Sequence, residues 1–558
     1  MMRSWSRPSL AALAILLVSL LVAGCTSSTP DTAIKYGGSL DVYGAQGIPG
    51  LRNFNPFLPE DSLTGTRGMI YETLLFFNQL QGGEISPWLA AGYQFSEDAT
   101  SVTFRLRSDV KWSDGYPFSS ADVVFTLNVL KRYPALDTAG LWKAITSVSA
   151  PDGQTVVVTF NQPAVPFLWY LAGQTFIVPE HIWQAVADPA TELNPNPVGT
   201  GPFVLKAFPT TIKWILARNP HYWQPGKPYI DTITYQIPWC PLADDSDCVL
   251  PNWDWMPYIP PYDDKLLDQR DPTHAHHWSP STSVYMLYLN LAKVPFKQVA
   301  VRQAISAAID RGALSVQGEP DTGPVANPTG LALPANQRFL APQYQHTTFG
   351  AGDPARAATL LEAAGFKKGS DGVYADASGH KLAFTLSMVS YWNDWVTDSQ
   401  IIAQNLNAAG MHVTVNKLSF QDYINALNNG TFDATIAWAT SGPTPYDLYH
   451  SLLASSSTAP ASLGASWNWE HWNDAKTDQL LKQYASTPDP TTQQQAIFGL
   501  EQIMVEQVPA IPLFDVVNWS EYSTARFVGW PDARNPYALP SPFSAPDDEM
   551  VALSIHQT

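Results

Sequence analysis

Between Lys381 and Ser419 the chain reads as a strand, KLAFTLSMV, an aromatic loop, a helix, DSQIIAQNLNAAG, and a second strand, MHVTVNKLS. Two strands joined through a helix have the connection that parallel pairing needs, so this unit fixes an α/β lobe with a crossover. The loop inside it, SYWNDWVT, sets Tyr391, Trp392 and Trp395 beside Asn393 and Asp394. Such a loop suits either core packing or a sugar platform: pyranose faces stack on Trp or Tyr, and ring hydroxyls seek Asn, Asp and Gln.

At 558 residues the chain exceeds one ordinary core, which implies roughly two to four lobes. Charged residues make up 14% against 45% apolar, with a net charge of −18. That balance argues against disorder and against a nucleic-acid partner, whose phosphates attract basic surfaces. The 20 tryptophans exceed the needs of the core and direct some rings toward a ligand.

Upstream of the crossover, GGSLDVYG reads as a strand and TRGMIYETLLFF has helical periodicity. SVTFRLR and QTVVVTF alternate with period two around SSADVVFTLNVLKRY, an amphipathic helix with Ser119 and Ser120 as cap candidates, giving a compact α+β lobe. NPNPVGTGPFVLKAF is a corner suited to crossing between lobes, and TIKWILAR and IDTITYQIP follow as strands. VAVRQAISAAIDRGAL and DPARAATLLEAAGF read as helices, the second capped by Asp353, with Pro354 in its first turn and Gly365 at its end. Two late helices are expected around 474–507, before the strand AIPLFDVV and a proline-rich tail.

The N-terminus carries Arg3 and Arg7 ahead of LAALAILLVSLLVAGC, the layout of an export signal rather than a membrane span. Ala23 and Gly24 ahead of Cys25 resemble a bacterial lipoprotein cleavage site, with Cys25 as the lipidated residue and a tether behind it. In an exported, oxidising compartment Cys240 and Cys248 can close a small loop disulfide. They lack histidine partners at zinc spacing. His274, His276 and His277 form a histidine cluster without a nearby acid or thiol in sequence and read as solvated loop residues, so no metal is expected.

Taken in order, LRSDVKWSDGYPFSSADVVFTL, VGTGPFVL, ARNPHYWQPGKPYID, VLPNWDW, LNLAKVPFKQVAVRQAISAAIDRGAL and DPARAATLLEAAGF resemble the large peptide- and nickel-type solute-binding proteins of bacterial ABC importers, solute-binding family 5. The resemblance covers nearly the whole chain behind the signal. It implies a mixed α/β, three-domain, periplasmic-binding-protein-like fold whose ligand is enclosed between two lobes by a hinge motion. The corresponding division is a signal peptide over 1–24 and a tether over 25–35. Domain I then takes 36–66, 191–288 and 509–558, domain II 67–190 and domain III 289–508. It implies a monomeric, lipid-anchored extracytoplasmic receptor that hands a small solute to ABC permease subunits. A hinge-closing binder needs packed lobes, a mostly apolar cleft and a few placed polar groups, and no cofactor.

Peptide-binding members of that family commonly place an aspartate three residues after a tryptophan, against the peptide's amino terminus. Here the third residue after Trp438 is Ser441. An ammonium buried against serine lacks its counter-charge. The aromatic text YWNDW, GPTPYDLY and GWPDARNPYALPSPF resembles the branch binding β-linked gluco-oligosaccharides. The expectation is therefore a short oligosaccharide, a β-glucoside, with an oligopeptide as the alternative. The expected contacts are Trp392, Asn393, Asp394 and Trp395, then Trp438 and Tyr446, and on the facing lobe Trp253, Asp254 and Trp255. If that last segment is extended, the rings of Trp253 and Trp255 share one face. Trp467, Trp469 and Trp472 either line an entrance or cap a helix. A secreted glycosidase using Asp254 and Asp394 across a cleft is a third reading. Against it, the chain shows no nucleophile elbow, HExxH, phosphate loop or catalytic thiol pattern, and no enzymatic activity is expected.

Overall fold

The computed structural model describes residues 34–44, 51–237, 253–257, 271–318, 323–458 and 467–558. Cys25, Cys240 and Cys248, with the signal and tether expected around Cys25, lie outside the described residues. Among those described, two large sheets dominate, and residues 35–558 form one compact unit.

The first sheet has seven strands in the spatial order Ala275–His277, Glu521–Ser523, Trp255–Met256, Ser39–Tyr43, Thr232–Gln236, Lys213–Arg218 and Phe203–Thr210. The second has five, ordered His412–Leu418, Ala383–Val389, Ala434–Trp438, Ser281–Leu289 and Ile511–Val517. A four-stranded antiparallel sheet built from residues 90–160 stands beside helix Ser120–Arg132. That helix starts where the sequence placed it: the Ser119 hydroxyl accepts from the Ala121 N–H, and Asp122 reaches back to the Ser119 N–H at 2.9 Å.

The crossover unit forms as read. Ala383–Val389 pairs in parallel with His412–Leu418 along its whole length and with Ala434–Trp438 on its other edge. Being covered on both faces, Ala383–Val389 is nearly continuously buried. The intervening helix runs Asn393–Ala408, five residues longer at its start than the sequence suggested. Asn393, Asp394 and Trp395 therefore occupy its first turn, and Trp392 is its cap residue. The apolar stretch TRGMIYETLLFF is not a helix. Gly68 adopts a left-handed φ of +83°, residues 66–71 fold into turns, and Leu75–Asn78 becomes a strand against Glu84–Pro87. A segment buried on every side shows no polar face from which a period can be read.

The two sheets are joined by a two-stranded ribbon. Strand Ala275–His277 of the first sheet continues through residues 278–280 into Ser281–Leu289 of the second. Ile511–Val517 of the second returns through 518–520 into Glu521–Ser523 of the first. Across the crossing, Trp278 N–H donates to the Ser520 carbonyl at 3.2 Å and Asn518 N–H to the Pro280 carbonyl at 2.9 Å. The boundary expected at 288/289 thus falls inside a strand, and Ile511–Val517, expected in the first domain, pairs in the five-stranded sheet. Pro280 has no N–H to donate, so the ribbon is thinly bonded where it passes from sheet to sheet.

Candidate functional site

Strand directions show which ends of the two sheets meet at the ribbon. In the five-stranded sheet, Ser281–Leu289 leaves the ribbon, and Ala434–Trp438 runs antiparallel to it with Tyr285 opposite Trp438. The carboxyl ends of Ala434–Trp438 and its parallel neighbour Ala383–Val389 therefore point toward the ribbon. In the seven-stranded sheet, Ala275–His277 leads into the ribbon, and Trp255–Met256 and Ser39–Tyr43 run in the same direction. Both sheets thus present the carboxyl ends of parallel strands to one crossing, where open α/β sheets receive ligands.

At that edge the five-stranded lobe carries a continuous aromatic ridge. Trp392 packs edge-on against Trp395, with ring centroids 4.8 Å apart, and lies 6.2 Å from Trp438. Trp438 meets Trp469 at 6.3 Å, and Trp469 meets Trp467 at 5.3 Å. Trp392, Trp438 and Trp467 are half-buried, whereas Trp395 is only 4% exposed, enclosed by Tyr285, Tyr423 and its neighbours. Trp395 is therefore a wall behind the ridge. Asn393 and Asp394 are exposed on the first helical turn beside Trp392, and Asp394 Oδ1 accepts from the Trp395 N–H at 2.9 Å. The end of the Trp438 strand is pinned: Tyr288 donates to the Trp438 carbonyl at 3.2 Å and Ser283 to the Ala439 carbonyl at 2.8 Å.

On the facing lobe, the three expected residues have separate environments. Trp253, just before strand Trp255–Met256, is half-buried against Tyr43, 5.9 Å between rings, and Tyr43 is the carboxyl-terminal residue of strand Ser39–Tyr43. Trp255 is fully buried: its ring packs on Trp530 and its indole N–H donates to the Pro540 carbonyl at 2.6 Å. Asp254, 3% exposed, accepts from the Asp41 N–H at 2.7 Å and from Arg526 Nε at 2.9 Å. Burial raises its carboxyl above the usual range, and the Asp41 N–H and Arg526 oppose the shift. As placed, Trp255 and Asp254 hold the lobe together, and Asp254 is not one of an open pair of acids across a cleft. Arg526→Ala is expected to cost about 1–3 kcal/mol, below the value for a fully buried pair because the guanidinium is half exposed. Urea unfolding checks this.

Tyr446 stands apart from the tryptophans. Its ring stacks on Tyr484 at 4.8 Å and on His450 at 5.3 Å. Trp472 lies just before helix Ala475–Ala485, its indole N–H donating to Thr477 Oγ1 at 3.1 Å, but the cap is Asp474, whose carboxylate accepts from the Thr477 N–H at 2.8 Å. Contrary to the expectation of no acid close by, His274 pairs with Asp271, three residues earlier, at 2.9 Å, and His276 meets Thr524 at 3.0 Å. Among the described residues, no group of three His, Cys, Asp or Glu side chains gathers to hold a metal, and no helix is long and apolar enough to cross a membrane.

Sequence reasoning missed Tyr285, Phe420 and Phe514 as ridge partners. Tyr285 contacts both Trp395 and Phe514, at 5.3 and 5.0 Å, and Phe420 lies 5.7 Å from Trp392. The available signal was the position of Phe420 just past its strand, the counterpart of Trp392.

The family model for bacterial extracellular solute-binding proteins, family 5, matches residues 84–460. The glutathione-binding proteins GsiB of Shigella dysenteriae and Escherichia coli O157:H7 are each 26% identical over 542 residues, covering 92% of this chain and 94% of theirs. Among solved structures, a periplasmic oligopeptide-binding protein of an ABC transporter from Thermotoga maritima superposes with a TM-score of 0.80 at 23% identity, covering 93% of this chain and 99% of its own. A mannohexaose-bound structure of that protein gives 0.71 at 23% identity, covering 93% and 98%.

Proposed function

Because the chain belongs to family 5 of the bacterial extracellular solute-binding proteins, and so is the non-enzymatic, extracytoplasmic receptor of an ABC importer, we propose that its solute is a short peptide. The observation that carries this is the end-to-end likeness to glutathione-binding proteins, 26% identical over 92% of the chain. This reverses the order expected from the sequence, where the serine at position 441 and the aromatic loop put an oligosaccharide first. The oligosaccharide reading stands second, on the half-buried faces of Trp392, Trp438 and Trp467. Trp392, Asn393, Asp394 and Trp438 form the ligand wall of one lobe in this reading, and Trp253 with Tyr43 the facing wall. Closure bends the ribbon at 278–280 and 518–520, which divides the domains there rather than at 288/289 and 508/509. Cys25 carries the lipid anchor, and the receptor works as a monomer.

The test is a melting-temperature screen of the purified protein against glutathione, a mixture of short peptides, and cello-, laminari- and manno-oligosaccharides. Peptides raise the melting temperature. A rise only with sugars would overturn the peptide reading and restore the oligosaccharide one.

A further inference from the structure

A cavity of about 420 Å³ lies where residues 77–169, around the four-stranded sheet, meet the five-stranded-sheet lobe. One wall is aromatic and apolar, with Phe77, Tyr93, Phe95 and Trp169; the other brings Thr444, Asp447 and Tyr484. The walls are tied together beside it. Val165 N–H donates to the Ala485 carbonyl at 3.2 Å, and the Arg338 guanidinium donates to the Gly82 carbonyl. At Gly83 the approach is so close that a side-chain carbon would lie 2.6 Å from the Pro443 carbonyl oxygen.

Among the described residues, Asp447 is the one carboxylate lining this cavity, and Arg338, whose guanidinium is held by the Gly82 carbonyl, is its one cation. It sits in the first turn of helix Pro445–Leu453 and is 7% exposed. Loop 441–444 wraps over it so tightly that a side-chain carbon at Gly442 would lie 2.4 Å from the carboxyl carbon. Its polar support comes from Thr444, whose hydroxyl stands 3.4 Å from Oδ2. Burial pushes its pKa up to about 7, opposed only by hydrogen bonds from Thr444 and its own helix N–H. The titratable groups around it do not share that window. Tyr170, Tyr446 and Tyr484 are raised by burial, and His450, one turn along, is lowered by burial. Arg338 acts on Tyr484 rather than on Asp447. A carboxylate held this way is costly to ionise in the empty cavity, and a cation entering beside it removes that cost. Aromatic walls suit the apolar body such a cation carries, and their faces attract the charge itself.

We propose that this inter-lobe cavity binds a primary ammonium joined to an apolar arm, with the ammonium donating to Asp447 and the arm lying against Trp169, Tyr93 and Phe95. The amino end of a peptide and a free arylalkylamine share that chemistry; the first source rests on the peptide reading and the second does not.

The purified protein is titrated calorimetrically with Phe-Gly-Gly, its N-acetyl form and phenethylamine, alongside Asp447→Asn, whose folding is checked by its melting temperature. The expected result is that an ammonium probe binds and strengthens as pH rises from about 5.5 to 7, below the range of about 7.7–8.0 where a peptide's amino group loses its own proton. Acetylation weakens the peptide at least tenfold, and Asp447→Asn removes both the preference and the pH dependence. If phenethylamine binds in this Asp447-dependent way and no peptide binds, the site stands and the peptide reading falls. If both peptides bind equally, or Asp447→Asn keeps the discrimination, the site is overturned and the peptide reading stands. If none of the three binds, the site is overturned. Should Asp447→Asn fail to fold, Trp169→Ala replaces it and is expected to weaken the ammonium probes at least tenfold; unchanged affinity overturns the site.

Discussion

Trp395→Ala unfolds roughly ten degrees below the native protein, whereas Trp392→Ala stays within a few degrees of it and binds at least about tenfold more weakly. The two rings touch, yet they differ in what surrounds them. Trp395 is 4% exposed and in ring contact with Tyr285, Trp392, Tyr423 and Trp438. Truncating it leaves a cavity at the joint between helix Asn393–Ala408 and the sheet, at a cost of about 3–5 kcal/mol. Trp392 is half-buried beside Tyr391, which is 61% exposed. In the function proposed above, its removal takes contact area from the solute rather than from the core. Thermal melts and calorimetric titration with glutathione and the short-peptide mixture, run on both variants, separate the roles. Equal loss of stability in both would make Trp392 a core residue.

The protein is expected to become less stable as pH rises from about 5 to 9, with the melting temperature falling steadily across that range. The cause is a set of buried carboxyls. Glu72 and Glu549 are fully buried at the junction of three chain segments. Glu72 Oε1 accepts from Trp223 at 2.9 Å and Glu549 Oε1 from Trp88 at 3.2 Å, with the Tyr222 hydroxyl between the two acids. Burial raises both; Glu72 raises Glu549 further, while the hydrogen bond from Glu549 lowers Glu72, so the proton the two acids share sits on Glu549. Asp548 is raised by burial as well, Asp515 and Asp547 reach about 7 and Glu501 about 8. A carboxyl raised in the folded state keeps its full contribution below its unfolded pKa, near 4, and loses it as pH climbs through the folded value. Glu549→Gln is therefore expected to be close to neutral at low pH, to raise the melting temperature above neutral pH, and to flatten the profile. A melting temperature that rises with pH would contradict this assignment.

Elements whose signal is local were legible in the sequence. The Ser119 cap, the Asp353 and Pro354 helix start and the strand–helix–strand crossover all formed, because a cap or an alternation is encoded within a few residues. What failed depended on distant partners. Arg526 meets Asp254 across 272 positions and Trp255 meets Trp530, so of three neighbours read alike Asp254 and Trp255 are buried in the lobe and Trp253 alone is half-buried. The ridge was half legible: Trp392 and Trp438 come together as expected, but only sheet pairing brings Tyr285 and Phe514 behind them. Tyr446 and Asp447 share the sequence neighbourhood of Trp438, yet the Pro445 helix carries Asp447 to the other cavity and stacks Tyr446 on Tyr484.

The central claim is that a peptide closes the two sheets about the ribbon at 278–280 and 518–520. Small-angle scattering of the purified protein, recorded while the short-peptide mixture is titrated in, tests it most directly. The radius of gyration is expected to shrink saturably with peptide. An unchanged radius, with peptide shown to be retained on the protein by mass spectrometry, would contradict closure; a radius that shrinks with oligosaccharides and not with peptides would contradict the solute.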